Sequence, residues 1–176
     1  MDHAAQSTVK RTLPRRQPNS AYRQREYLIE NEVERLIEAA RKRGRNGARD
    51  AAAILLAYRH CLRAAELCSL KWSQVDLKHG RMHVNRAKGG IESVHPLHGP
   101  ELRALRPLQG NSPYVFTTEA GTPVTTVWFL RMVQQTGRAA KLPFPIHPHI
   151  TMVTIRGAWR TTLAIAICRV QRGILR

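Results

Sequence analysis

The sequence predicts an α+β fold, mainly α, with a small antiparallel β-hairpin. Three observations predict it. Apolar residues recur at spacings of three and four in stretches on both sides of the chain's middle. Between residues 81 and 97 the period drops to two around a Gly-Gly pair, which is the pattern of a hairpin. The chain has 176 residues, enough for one core with little room for a second.

The elements follow in order. Residues 1–25 hold Lys10, Arg11, Arg15, Arg16, Arg23 and Arg25 against a single acid, Asp2, with two prolines and no periodicity. They are expected to be a disordered basic arm, either a solvated tail or a phosphate-binding segment. Residues 26–149 form the expected domain, and residues 150–176 a divergent tail. In the first helix Ile29, Val33, Leu36, Ile37 and Ala40 share a face; Asn31 with Glu34 resembles a capping box, and Gly44 is a stop. "ARDAAAILLAYRHC" is apolar enough for a buried helix. "RAAELCSLKW" gives a third, short one with Leu67 and Leu70 facing in. In "RMHVNRAKGGIESVHPLHG", Met82 and Val84 lie on one arm of the hairpin, Val94 and Leu97 near the other, with Gly89-Gly90 between. A short strand is expected at Tyr114–Phe116 and a turn at Gly121-Thr122-Pro123. In the last helix Thr125 caps and Val127, Leu130 and Val133 line the inner face. There is no internal repeat.

The formal net charge is +17 and the pI about 11.3, well beyond what solubility requires. A polyanion is the simplest partner for such a field, nucleic acid before an anionic membrane surface. No apolar run approaches the roughly 18 residues of a spanning helix, and no apolar core follows the basic N-terminus as in a secretory signal. The chain reads as cytoplasmic and nucleoid-associated, with no membrane and no small-molecule substrate. Cys61, Cys68 and Cys168 are odd in number and fit no zinc spacing, so no zinc site is read from them; no cofactor is expected. Cys61 and Cys68 read as buried, reduced thiols. Trp72 and Trp128 read as core residues, and the few aromatics weigh against an RNA-binding module built on stacked bases.

Three features carry chemistry. Arg63 begins a helix, with Glu66 three residues on and Trp72 after it; Lys88 sits at the hairpin tip; His149 opens a segment. Arg offers a planar fork for two phosphate oxygens, Lys a proton for a leaving oxygen, and His a hydrogen bond or acid–base group. Arg41, Lys42, Arg43, Lys71 and Arg86 are further cations suited to a DNA backbone, or to plain solvation. Taken singly, Arg63 is an ordinary helix-terminal arginine, Lys88 a turn lysine and Glu66 a salt-bridge partner.

Taken in order, "LLAYRHCLRAAELCSLKWSQVDL", "AKGG" before a second strand, "YVF" before a Gly-containing turn, and "HPHITM" resemble the tyrosine recombinase (phage integrase) family. Within it the chain is most similar to the small fimbrial-switch type. The resemblance runs from about Tyr27 to His149. It implies that Arg63 holds the non-bridging oxygens of the attacked phosphate, with Glu66 in support. Lys88 would protonate the leaving 5′ oxygen, and His149 would open the family's H-x-x-R box. It also implies double-stranded DNA and other recombinase protomers as partners, and a tyrosine attack that needs no metal or nucleotide. The chain departs from the pattern after His149. Position 152 is Met where the box has Arg, and Tyr22, Tyr27, Tyr58 and Tyr114 all lie upstream. The pattern's second arginine, second His/Trp position and nucleophile are missing, and residues 150–176 hold five arginines and no Lys, Asp or Glu. The expectation is a catalytically inactive relative, C-terminally truncated or frameshifted, whose tail is either a frameshifted reading of a catalytic segment or a diverged one. The alternative is a DNA-binding competitor or accessory protein at recombination sites. Uncovered apolar surface and marginal stability are the expected cost.

Overall fold

The structure is a computed structural model and describes residues 28–85 and 92–146. The chain runs α1 (Glu30–Arg41), α2 (Gly47–His60), α3 (Ala64–Cys68), β1 (Val75–Asp76), β2 (Arg81–Val84), β3 (Ser93–Pro96), α4 (Gly99–Leu105) and α5 (Thr126–Ala139), with 3-10 turns at Trp72–Gln74 and Arg106–Leu108. It is the mainly α fold with a small antiparallel sheet that the sequence predicts. The arm, the hairpin tip with Lys88, Arg86 and Gly89-Gly90, and His149 with the tail lie outside the described residues.

Alanine decides the packing at the centre. Ala51, Ala52, Ala53 and Ala57 are buried on α2, and their small side chains let α1 and α4 approach its backbone. α5 packs on α1 and α3. Leu36, Ile54, Leu56, Leu67, Met82, Phe116 and Phe129 interlock in a single core reaching from the helices to the sheet. Each such side chain contributes roughly 1.5–3 kcal/mol on burial. Gly47 is required where α1 gives way to α2, because a Cβ there would stand 2.2 Å from the Arg41 carbonyl oxygen.

The first helix is capped differently from the expected Asn31–Glu34 box. Leu28 is fully buried, which draws the chain into the core just before the helix starts. The cap therefore falls at Ile29, whose N–H donates to the Glu32 carboxylate at 2.9 Å. Gly44 does take a left-handed φ of 60°, in the turn after α1.

The sheet has three antiparallel strands in the order β1-β2-β3. β1 is one strand more than the hairpin read from sequence. Met82 pairs with His95 and Val84 with Ser93. Met82, Val84, His95 and Leu97 face inward, and Val94 is 53% exposed. Val94 and Leu97 are an odd number of residues apart, so a pleated strand cannot turn both to one face. α4 was not expected either. Pro100 sits at its first turn, and the Glu101 carboxylate accepts the His98 N–H at 2.6 Å.

Residues 114–116 make a single bridge instead of a strand: Lys71 pairs with Tyr114, and the Val115 N–H donates to the Leu70 carbonyl at 2.9 Å. The turn at Gly121 is present, with φ of 76°. Thr125 caps α5, its hydroxyl accepting the Trp128 N–H at 3.1 Å. The buried face of α5 is Phe129, Met132, Val133, Thr136 and Gly137, while Val127 is 53% exposed. The capping residue is right and the inner face is rotated from the Val127–Leu130–Val133 line. Cys61 and Cys68 are buried and in no disulfide, and burial pushes the Cys68 thiol up to about 11. Among the described residues no helix is long and apolar enough to cross a membrane.

Candidate functional site

The site is built on the break between α2 and α3. α2 ends at His60, and Cys61 takes a left-handed φ of 51°, a conformation that L residues rarely adopt. Leu62 plunges into the core. The chain then straightens at Arg63, with φ −69° and ψ 153°, as the cap of α3. A tight reversal between two buried anchors, Leu62 and Leu67, leaves Arg63 on the outside.

Glu66 holds it there. One carboxylate oxygen accepts the Arg63 backbone N–H at 2.9 Å and the other pairs with Arg63 Nη1 at 3.2 Å. The Glu66 side chain is 2% exposed and that of Arg63 46%. A buried anion thus sits behind a guanidinium whose outer half meets solvent. A carboxylate so buried needs its partner, so the arginine is fixed in direction as well as position.

Glu66 also lines a cleft of about 340 Å³ with Leu62, Ser69, Lys71, Gln74 and Asn85. Lys71 is exposed at its rim. Its ammonium lies 5.6 Å from the centroid of the Tyr114 ring, a cation–π distance. Its backbone N–H donates to Gln74 Oε1 at 3.0 Å. Val84, the last residue of β2, and Asn85 after it also line the cleft. The described residues therefore bring together Arg63, Glu66, Lys71 and the root of the hairpin.

The other expected cations lie elsewhere. Arg41 and Lys42 are exposed and share Glu38, at 3.8 and 3.3 Å; such pairs contribute little. Arg43 is engaged with α5, donating to the Met132 carbonyl at 3.4 Å, to the Thr136 hydroxyl at 3.2 Å and to Gln135. It lines a second hollow, about 470 Å³, with Arg45, Arg49, Trp128 and Arg131. Sequence reasoning marks residues 41–49 as a basic helix–loop but names neither Arg49 nor Arg131 as a site residue. The Arg49 guanidinium lies 4.6 Å from the Trp128 ring centroid, donates to the Thr117 carbonyl at 2.7 Å and grips Asp50 at 2.8 Å. Burial pushes the Asp50 carboxyl above its ordinary range, and Arg49 only partly offsets this. Arg131 follows Trp128 by one helical turn, the one signal that could have placed it beside this hollow. Among the described residues no group of His, Cys, Asp or Glu could hold a metal ion.

The sequence model of the Phage integrase family matches residues 26–165, continuing past His149, where the resemblance read from sequence stopped. The type 1 fimbriae regulatory protein FimB of Escherichia coli (strain K12) is 32% identical over 136 residues, covering 73% of this chain and 68% of that protein. The crystal structure of XerA recombinase superposes with a TM-score of 0.70 at 25% identity, covering 84% of this chain; the chain spans 55% of that one. The lambda integrase catalytic core gives a TM-score of 0.69 at 19% identity, over 86% of this chain and 93% of that one, a likeness of fold. The break that seats Arg63 on Glu66 thus stands within a matched span covering most of the sequence, and this chain belongs to the phage integrase family of tyrosine recombinases.

Proposed function

We propose that this protein binds double-stranded DNA at recombination sites, in integration or inversion, and that the chain by itself does not carry out the covalent step. The observation that carries the reading is the Arg63–Glu66 clamp beside the hairpin root. A half-exposed guanidinium held by a buried carboxylate is the kind of planar fork that pairs with phosphate oxygens. In this reading Arg63 takes the non-bridging oxygens, Lys88 reaches the leaving 5′ oxygen from the hairpin tip, and His149 adds a hydrogen bond. Lys71, Arg86, Arg41, Lys42 and Arg43 supply the surrounding positive field for the flanking backbone. The protein acts in the cytoplasm, on the nucleoid, in company with other recombinase protomers.

Inactivity rests on Met152 in place of the arginine and on the lack of any tyrosine in residues 150–176. Without a nucleophile no phosphotyrosyl bond forms. Incubation with a nicked suicide duplex tests this: the expected result is no covalent protein–DNA adduct, and an adduct overturns it. A second reading, a competitor of an intact recombinase, is favoured by the same surviving phosphate clamp and by the charge of +17. It predicts that added protein lowers the turnover of an active recombinase on a shared site, while a protein that leaves that turnover unchanged is no competitor.

A further inference from the structure

Behind the Arg63 turn lies a buried polar cluster that the phosphate chemistry does not use. His60 ends α2, three residues before Arg63. His95 is the inward residue of β3, and Glu101 lies in the first turn of α4. Their exposures are 6%, 2% and 0%, so water does not compete for them. Ser93 Oγ lies 2.9 Å from His95 Nε2, and His95 Nδ1 lies 3.2 Å from His60 Nδ1. His60 Nε2 stands 3.0 Å from Glu101 Oε1. The two imidazoles meet edge to face, with centroids 5.2 Å apart and planes at 73°.

The protons in this row have one consistent arrangement when both imidazoles are neutral. A carboxylate accepts only, and although the 3.0 Å contact between His60 Nε2 and Glu101 Oε1 is poorly aligned for a hydrogen bond, neither atom has any other partner among the described residues. His60 Nε2–H therefore points at Glu101. A neutral imidazole then accepts at its other nitrogen, so His95 Nδ1–H donates to His60 Nδ1. His95 Nε2 in turn accepts from the Ser93 hydroxyl. Every donor in the row points toward Glu101. That carboxylate is kept ionised: burial alone would raise its pKa, but the His60 hydrogen bond, the His98 N–H at 2.6 Å and the Arg59 guanidinium at 3.8 Å hold it below its ordinary 4.5.

Such a row tolerates no slip. Moving β3 by one residue would bring Val94 inward in place of His95 and leave His60 Nδ1 facing a methyl group, a buried polar atom without its partner. Three apolar residues in these places would pack as well but would permit the slip.

We propose that Ser93, His95, His60 and Glu101 are positioning residues, a directional hydrogen-bond relay that fixes the register of the β2–β3 hairpin against the turn carrying Arg63. The proposal rests on the reading of that turn and hairpin as one phosphate site. None of the four touches the phosphate; they act through the placement of Arg63 and the hairpin.

The test uses the full chain, with two replacements that differ in one respect. Asn in place of His95 keeps an N–H near the Nδ1 position, while Leu keeps the volume and removes the donor. Amide hydrogen exchange in β2 and β3 is the first readout and duplex affinity the second. His95→Leu is expected to speed hairpin exchange about tenfold and weaken duplex binding by a similar factor, since one lost hydrogen bond of about 1.4 kcal/mol is a factor of ten. His95→Asn is expected to restore most of both, and α1–α2 amides to stay protected in either variant. Nitrogen NMR on the wild type should find His60 protonated at Nε2 and His95 at Nδ1. Hairpin exchange unchanged in His95→Leu, an Asn variant no better than Leu, or the opposite tautomers would each overturn the proposal. Should His95→Leu fail to fold, Ser93→Ala removes only the first donor; hairpin exchange no faster than in the wild type then counts against the relay. If the wild type itself binds no duplex, the phosphate reading falls, while exchange and tautomers still decide the relay.

Discussion

Glu66 grips Arg63 at two points, its backbone N–H at 2.9 Å and its guanidinium at 3.2 Å. A single carboxylate thus sets both where α3 begins and where the arginine points. Glu66→Ala should lower stability by about 1–3 kcal/mol in urea unfolding, the range for leaving a hydrogen-bonded group unsatisfied. It should also weaken duplex binding. Glu66→Gln, which keeps one acceptor for the backbone N–H, should lose less stability than Glu66→Ala while still freeing the guanidinium to swing.

Arg49 and Asp50 form the most enclosed ion pair of the second hollow, with side chains 12% and 9% exposed. Arg49→Ala leaves Asp50 buried without its cation and should cost about 3 kcal/mol, in the range measured for breaking buried pairs. Adding Asp50→Ala should recover part of the loss. Two losses that simply add would show that the pair is not coupled.

Two buried carboxyls are shifted in opposite directions, and the acid limb of a stability profile separates them. Glu101 lies below its ordinary 4.5, so the folded state binds its proton less tightly than the unfolded chain does. Its contribution is complete above pH 4.5 and disappears as pH falls through the lowered value. Asp50 lies above its ordinary 3.8, so its effect has the reverse sign, and folding loses stability as pH rises from 3.8 through the raised value. Glu101→Gln should therefore flatten the fall in stability on acidification below pH 4.5, and Asp50→Asn should steepen it. Melting temperatures taken between pH 3 and pH 6 read both slopes.

The inner face of α5 makes a sharp contrast in cost. Phe129→Ala and Met132→Ala remove side chains 1% and 3% exposed and should each cost about 2–5 kcal/mol. Val127→Lys and Val94→Thr alter exposed positions and should stay within about 0.5 kcal/mol of the wild type. Equal costs in the two groups would return Val127 to the core.

These contrasts also mark how far the sequence could be read. The helical stretches were legible because burial demanded apolar residues every three or four positions, as with Val33, Leu36 and Ala40. The Thr125 cap was legible because its hydroxyl has one favoured use at a helix start. β1 is two residues long and has no period to detect. α4 is seven residues with Pro100 in its first turn, too short for a pattern. The face of β3 was misread because its inward residue is a histidine, and an apolar pattern passes over a buried polar side chain whose partners, His60 and Glu101, lie far away in sequence. The same reason hid Arg49, whose burial depends on Trp128 and Thr117. Arg63 and Glu66 were legible together since their contact is local, three residues apart at a helix start. Arg43 was not, because Gln135 and Thr136 reach it from the other end of the domain.

Duplex binding at stepped salt, for the wild type and for Arg63→Ala, tests the central claim most directly. If Arg63 is a phosphate clamp, the variant should bind about tenfold more weakly and its log–log salt slope should be shallower by about one, the loss of one phosphate contact. Affinity and slope indistinguishable from the wild type would contradict the claim and make Arg63 no more than the cap of α3.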